Sequence, residues 1–152
     1  MFERFAQATR VAVDDARYEA GLRGDRRIGT EHLLISLLND ESIATAVGAS
    51  AEAAREAADR LDRGALAAIG VELGDFAPRG RLALGRHVPF TAGAKEVMGQ
   101  TLAQAAAEKA RTLLPRHMML ALLERRAPDP AAALLTALSV DAGAVRERLA
   151  VA

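Results

Sequence analysis

An all-α fold of eight helices, arranged as two related sets of four, is what this sequence predicts, and three observations predict it. First, the chain repeats itself. Phe5 opens a helical pattern that reaches Ile28-Gly29-Thr30-Glu31-His32-Leu33-Leu34, and Phe90 opens a similar one that reaches Leu113-Leu114-Pro115-Arg116-His117-Met118-Met119. Both offsets are 85 residues (90 − 5 and 117 − 32), and self-similarity at a fixed period defines an architecture before any single residue is interpreted. Second, Ala and Leu dominate while aromatic residues make up only 3%, a composition that favours packed helices over sheets. Third, apolar residues return every three to four positions, the period of a helix with one buried face.

The first helix is expected from about Glu3 to Ala20, with Phe5, Ala8, Ala12 or Val13 and Ala16 facing inward. Gly21 and Gly24 mark its end. Thr30 is a good N-cap for the second helix, whose Leu33, Leu34, Leu37 and Leu38 make a buried face, and Asn39 and Asp40 stop it. A short element over Ser42–Val47 leads to Ser50, a cap for a long helix over Ala51–Ile69 whose charges read as a solvated face. Periodicity then fails through a stretch containing Gly70, Gly74, Pro78, Gly80 and Gly85.

The pattern restarts at Thr91, which caps a helix running to about Lys109. Pro115 suits a first helical turn, where its missing N–H has no intrahelical partner. Asp129-Pro130 starts a helix through Leu138, and Asp141 caps the last, ending near Leu149. The expected organisation is one domain over 1–152: repeat one 1–69, a linker 70–88, and repeat two 89–152. Ala53-Ala54-Arg55 matches Ala144-Val145-Arg146 at an offset of 91, so half one is six residues shorter around its third helix.

Composition excludes several functions. Net charge is zero and the basic residues are spread from Arg4 to Arg148, so the long-range field of a nucleic-acid binder is missing. There is no cysteine, which rules out thiolate catalysis and disulfides. No apolar run approaches the roughly 20 residues that span a bilayer, and Met1-Phe2-Glu3-Arg4-Phe5 lacks a signal-peptide layout, so a cytoplasmic protein that does not enter a membrane is expected. Ser36, Ser42, Ser50 and Ser139 offer no nucleophile-base pattern, and no cofactor is called for.

Three segments carry a resemblance: Met1-Phe2-Glu3-Arg4-Phe5, Ile28-Gly29-Thr30-Glu31-His32-Leu33-Leu34, and His87-Val88-Pro89-Phe90-Thr91 with Ala94-Lys95. With them the whole chain resembles the N-terminal repeat domain of Clp-type unfoldases, most similar to the ClpC group. The resemblance implies eight helices in two repeats and a module that receives substrates and adaptors without chemistry of its own. Nothing here resembles the ATPase ring. A phosphate-binding loop ends in Gly-Lys-Ser/Thr, yet Lys95 is followed by Glu96 and Lys109 by Ala110.

The resemblance also implies sites. ClpC-type domains bind phosphoarginine through the glutamate of each Gly-Thr-Glu-His segment, which carries over to Gly29, Thr30 and Glu31. A helix start supplies amides for the phosphate and the carboxylate pairs with the guanidinium. The other reading of Glu31 is a carboxylate that stabilises its helix N-terminus. In the second half Pro115 and Arg116 replace threonine and glutamate, so that pocket is degenerate and at most one phosphoarginine is expected.

An apolar patch for cyclic peptides and other partners, resembling the family's, would comprise Phe2, Arg10, Phe90 and Lys95, although Gly99 stands where an acidic residue is common. Core packing is the other reading for these phenylalanines. His32 and His117 lack a second ligand at helical spacing, so each is expected to bond to backbone and order the loop before its helix, with no metal.

The expected function is a non-enzymatic protein-binding module. Its expected partners are a Clp unfoldase, that unfoldase's substrates or adaptors, cyclic peptides, or phosphoarginine proteins. It would act as an adaptor, a competitor, or a sink for cyclic peptides. The alternative is a structural interaction domain of an unrelated complex, with degenerate pockets.

Overall fold

A computed structural model of the chain describes residues 5–70 and 87–151. Among them are eight α-helices: α1 (Gln7–Leu22), α2 (Thr30–Leu37), α3 (Glu41–Val47), α4 (Ala51–Ala68), α5 (Ala92–Ala107), α6 (Pro115–Leu123), α7 (Pro130–Ala137) and α8 (Ala142–Val151). The two sets of four that the repeat predicts are present. Phe2, expected in the apolar patch, and most of the expected linker lie outside the described residues.

Local chemistry accounts for most of the helix starts. The side chains of Asp40, Ser50, Thr91 and Asp129 accept hydrogen bonds from first-turn amides of α3, α4, α5 and α7, and Asp141 Oδ1 accepts from the Ala144 amide at 3.2 Å. Asp40 therefore begins α3 as well as following α2. Thr30 departs from expectation: Gly29 is the N-cap of α2 and Thr30 is its first helical residue, because the threonine hydroxyl is engaged elsewhere in the molecule.

Turn geometry repeats along with the helices. Gly24 (φ 72°) and Lys109 (φ 57°) are 85 residues apart, whereas Gly48 (φ 80°) and Ser139 (φ 56°) are 91 apart. The change of register is thus located: the link from α2 to α3 is residues 38–40 and that from α6 to α7 is residues 124–129, with the remaining difference accumulating by the end of α7.

α2 and α6 occupy the middle. Leu33, Leu34 and Ile35 of α2 and Met118, Met119 and Leu122 of α6 have no exposed surface, and each helix touches partners from both halves. Within each half the first helix packs on the second, α1 on α2 and α5 on α6. Beyond that the halves interleave: α4 packs on α7 and α3 on α8. One continuous apolar cluster results, the arrangement expected when neither set of four can bury its faces alone.

The lead-in segments cross over as well. Phe5 forms a parallel bridge with Leu113, just before α6, and Phe90 forms the same bridge with Ile28, just before α2. Ala6 N–H donates to the Leu113 carbonyl at 3.1 Å and Thr91 N–H to the Ile28 carbonyl at 2.9 Å. The Ile28 N–H donates to Pro89 O at 2.9 Å, and the buried Thr9 hydroxyl adds a 2.6 Å bond to Leu113 O. Each half therefore fixes the loop that begins the other half's central helix.

The charges of α4 are not simply a solvated face. Arg55 bonds to Glu19, which is buried on α1, while Arg23, after α1, holds Asp59 at 2.8 Å and also Asp62. Among the described residues no helix is long and apolar enough to cross a membrane.

Candidate functional site

The loop before each central helix is set by a histidine. Gly29 N–H donates to Nδ1 of His32, and Leu114 N–H donates to Nδ1 of His117, both at 2.9 Å. A neutral imidazole that accepts at Nδ1 carries its proton at Nε2, so both rings become donors toward the preceding turn. There His32 Nε2 meets Asp25 Oδ2 and His117 Nε2 meets Glu108 Oε2, again at 2.9 Å each. The histidines thus order their loops through backbone bonds, as the sequence leads one to expect. Asp25 and Glu108 lie seven and nine residues before their histidines and share no repeat position, so the sequence repeat does not point to them.

The halves differ at the residue before the histidine. In the second half, the Arg116 guanidinium grips Glu108 through both of its terminal nitrogens, Nη1 at 2.7 Å from Oε1 and Nη2 at 2.5 Å from Oε2. Hydrogen bonds from Arg116 and then His117 outweigh the opposing effect of burial and hold the Glu108 carboxyl at about 2, well below the usual range. Pro115 occupies the first helical position of α6, symmetry-related to Thr30 of α2.

In the first half, Glu31 stands where Arg116 stands in the second. Its side chain folds back over Gly29, so that a Cβ added at Gly29 would lie 2.5 Å from Oε2 and 2.7 Å from Oε1. Oε1 is 3.5 Å from His32 Nε2, whose proton already serves Asp25, and Oε2 is buried without a hydrogen-bond partner. A buried carboxylate oxygen left unpaired costs more than an exposed one, because it has lost water and gained nothing.

Thr30 begins the same helix, but its side chain is engaged by the other half. Its hydroxyl donates to Asp129 Oδ1 at 2.8 Å and accepts from the Ala131 amide at 3.2 Å, which pins the start of α2 to the start of α7. Asp129 is also held by Arg125 Nε at 2.9 Å, and Arg125 in turn pairs with Glu96 at 2.7 Å. Gly93 of α5 lies against this group, with Asp129 Oδ2 only 3.1 Å from where its Cβ would be.

The remaining expected site residues are dispersed over the same end of the sequence repeats. Arg10 and Lys95 are exposed at matching positions of α1 and α5, 85 residues apart. Phe5 is core, whereas Phe90 is only half-buried and packs on the edge of the core, so two equivalent phenylalanines have unequal surroundings. The Phe90 bridge to Ile28 brings one residue of the expected patch to the loop that carries Gly29 and Glu31.

Asp25, Glu31 and His32 place one potential ligand atom each within 4.8 Å of one another. The donor set does not suit a metal ion, since the His32 lone pair at Nδ1 accepts from Gly29 and Nε2 is protonated.

No protein-family model matches the sequence. Solved structures do. The N-terminal domain of the caseinolytic-protease-associated chaperone ClpD from Arabidopsis thaliana superposes with a TM-score of 0.73 at 19% identity, covering 99% of this chain and 98% of that one. A chain described as part of a malarial protein secretion system superposes with a TM-score of 0.66 at 14% identity, covering 97% of this chain and 92% of that one. Eight helices in two interleaved repeats, matched over almost the full length of both chains, give this protein the fold of the Clp N-terminal domain.

Proposed function

We propose that the chain is a non-enzymatic docking module that holds partner polypeptides, with its principal contact at the first-half pocket of Gly29, Thr30 and Glu31. The single observation that carries this reading is the buried, unpartnered Oε2 of Glu31 at the start of α2, beside Asp25 and His32. The nearest donor, His32 Nε2, already serves Asp25, so a donor brought by a partner would complete the group, while Arg116, at the matching position of the second half, is spent on Glu108. Gly29 and Thr30 serve as framework: the glycine makes room for the carboxylate and the threonine fixes the helix start. Pro115 and Arg116 form the closed counterpart.

The likeness to a domain of a protease-associated chaperone supports a role beside a Clp-type unfoldase, as an adaptor that delivers substrates or as a competitor for them. A guanidinium-bearing side chain, including phosphoarginine, is the ligand chemistry that a lone carboxylate at a helix start favours. Phe90 with Arg10, Lys95 and Phe2 is proposed as a second contact, for apolar or cyclic peptides.

Affinity capture from a native extract, comparing wild type with Glu31→Ala and Phe90→Ala, tests the proposal. Recovery of a Clp unfoldase or its clients by wild type and at least tenfold less by Glu31→Ala supports it. Equal recovery by both proteins sinks it.

A further inference from the structure

We infer that the outward face of α4 joins two copies of this chain, the two helices running antiparallel about a two-fold axis, with Glu52 of each copy facing Arg63 of the other and Glu56 facing Arg60. The contact uses no pocket residue and goes beyond the docking reading.

The sides of α4 are built for different neighbours. Ala51, Ala54, Ala57 and Ala58 face the core, while Arg55, Asp59 and Asp62 turn toward Glu19 of α1 and the Arg23 that follows it. What remains is a stripe of charge. Glu52, Glu56, Arg60 and Arg63 follow one another at gaps of four, four and three residues, which keeps them on one helix face, and all four are exposed. Among the described residues none of them forms an ion pair, and Glu52 acts only at longer range, on an Arg55 that is already bonded to Glu19. The same side of the helix is open: a Cβ added at Gly64 would meet no atom within 4 Å.

The order of the signs points to the occupant. The helix dipole accounts for an acid in the first turn, Glu52, but its effect fades within a turn, and the last turn of α4 carries no basic residue. Glu56, Arg60 and Arg63 therefore need another reason. An acidic half followed by a basic half is complementary to itself when an identical helix lies alongside in the opposite direction. With the axis at the height of residues 57 and 58, every acid of one copy falls opposite a base of the other. A parallel arrangement would set glutamate on glutamate and arginine on arginine. The antiparallel contact presents the same patch from both copies and so closes at two. Ala53, Gly64 and Ala67 border the stripe, and their small side chains let the two backbones approach, Gly64 and Ala67 lying beside the start of α4 in the second copy.

Exposed ion pairs are individually weak and are screened by salt, so this association is modest and set by ionic strength, with the charges fixing its register.

Sedimentation equilibrium of the full chain tests the inference, with circular dichroism checking that each variant is folded. Wild type is expected to associate reversibly to twice the monomer mass at about 0.01 M salt and to separate at about 1 M, as the screening length falls from roughly 30 to roughly 3 Å. The double variant Glu52→Arg with Glu56→Arg, and the double variant Arg60→Glu with Arg63→Glu, should each self-associate at least tenfold more weakly than wild type. One then carries only cations on this face and the other only acids, so an equal mixture should form a one-to-one complex. All four substitutions together reverse the stripe and should restore self-association.

Wild type that stays at monomer mass at low salt overturns the inference. So does a dimer that neither double variant weakens, which would place the contact on another face. Should one double variant not fold, wild type and the other decide between these outcomes. Either failure leaves the docking proposal, tested through Glu31, untouched.

Discussion

Gly24 and Lys109 turn the chain through the same left-handed backbone conformation, with φ of 72° and 57°, at points 85 residues apart. Only one of the two is a glycine. An L-residue pays about 1–2 kcal/mol in that region, and glycine recovers most of this while losing about 0.5–1 kcal/mol to its greater freedom in the unfolded chain. Lys109→Gly should therefore stabilise the protein by about 0.5–1 kcal/mol. Ser139→Gly, opposite Gly48, should do the same, and Gly24→Ala should destabilise. Urea midpoints at unchanged slope would show it.

Removing the Thr30 hydroxyl should be felt in the other half. Thr30→Val keeps the shape of the side chain but loses the bonds to Asp129 and the Ala131 amide, at a cost of about 1 kcal/mol. Asp129→Ala should cost more, since it also removes the cap of α7 and the partner of Arg125. A double-mutant cycle should give a coupling of about 1 kcal/mol, and a coupling near zero would show that the link between the halves lies elsewhere.

The Glu19–Arg55 pair should respond unequally to its two deletions. Glu19 is 2% exposed and Arg55 40% exposed. Arg55→Ala strands a buried carboxylate and should cost about 3 kcal/mol, whereas Glu19→Gln leaves an arginine that can reach water and should cost about 1 kcal/mol or less. Thermal melts of the two variants compare them directly.

Glu108 sets a pH dependence of known sign. Its folded carboxyl titrates at about 2, below its ordinary 4.5, so the bound pair stabilises the fold above that ordinary value and the contribution is lost as pH falls toward 2. Glu108 is 35% exposed and Arg116 25%, so solvent screening keeps the gain below about 1 kcal/mol. Arg116→Ala should flatten the stability profile between pH 4.5 and 2. A profile as steep as that of wild type would mean that the pair contributes nothing.

Gly29→Ala should act on the pocket and spare the fold. The backbone there, φ −101° and ψ 176°, suits any residue, but the new Cβ would meet Glu31 Oε2 at 2.5 Å. The flexible carboxylate would swing outward and be solvated, with a stability change of under about 1 kcal/mol. Partner recovery should fall as far as in Glu31→Ala while the melting temperature stays near that of wild type.

Much of this was readable from the sequence, and the reasons differ by level. Helices announced themselves through local signals: Ser50, Thr91, Asp129 and Asp141 cap where cap chemistry places them. The offsets of 85 and 91 were visible as repeated words and return as repeated turns. What sequence could not show was pairing across distance. Thr30 and Asp129 are 99 residues apart, so a threonine that looks like a cap is a cross-half strut. Asp25 and Glu108 reach equivalent histidines from non-equivalent positions, which alignment of the two halves cannot detect. Arg55 looked like solvated charge because its buried partner sits on another helix.

The exchanged lead-in segments have a consequence for anyone recombining such proteins. Pro89–Thr91 grips Ile28, and Phe5–Ala6 grips Leu113, so each pocket loop is a joint product of both repeats. A chimera that takes one repeat from a relative must transplant the matching entry strand along with the loop it clasps. Swapping at the midpoint instead would produce two mismatched clasps at once, and both recognition loops would lose their shape even though every helix was inherited intact.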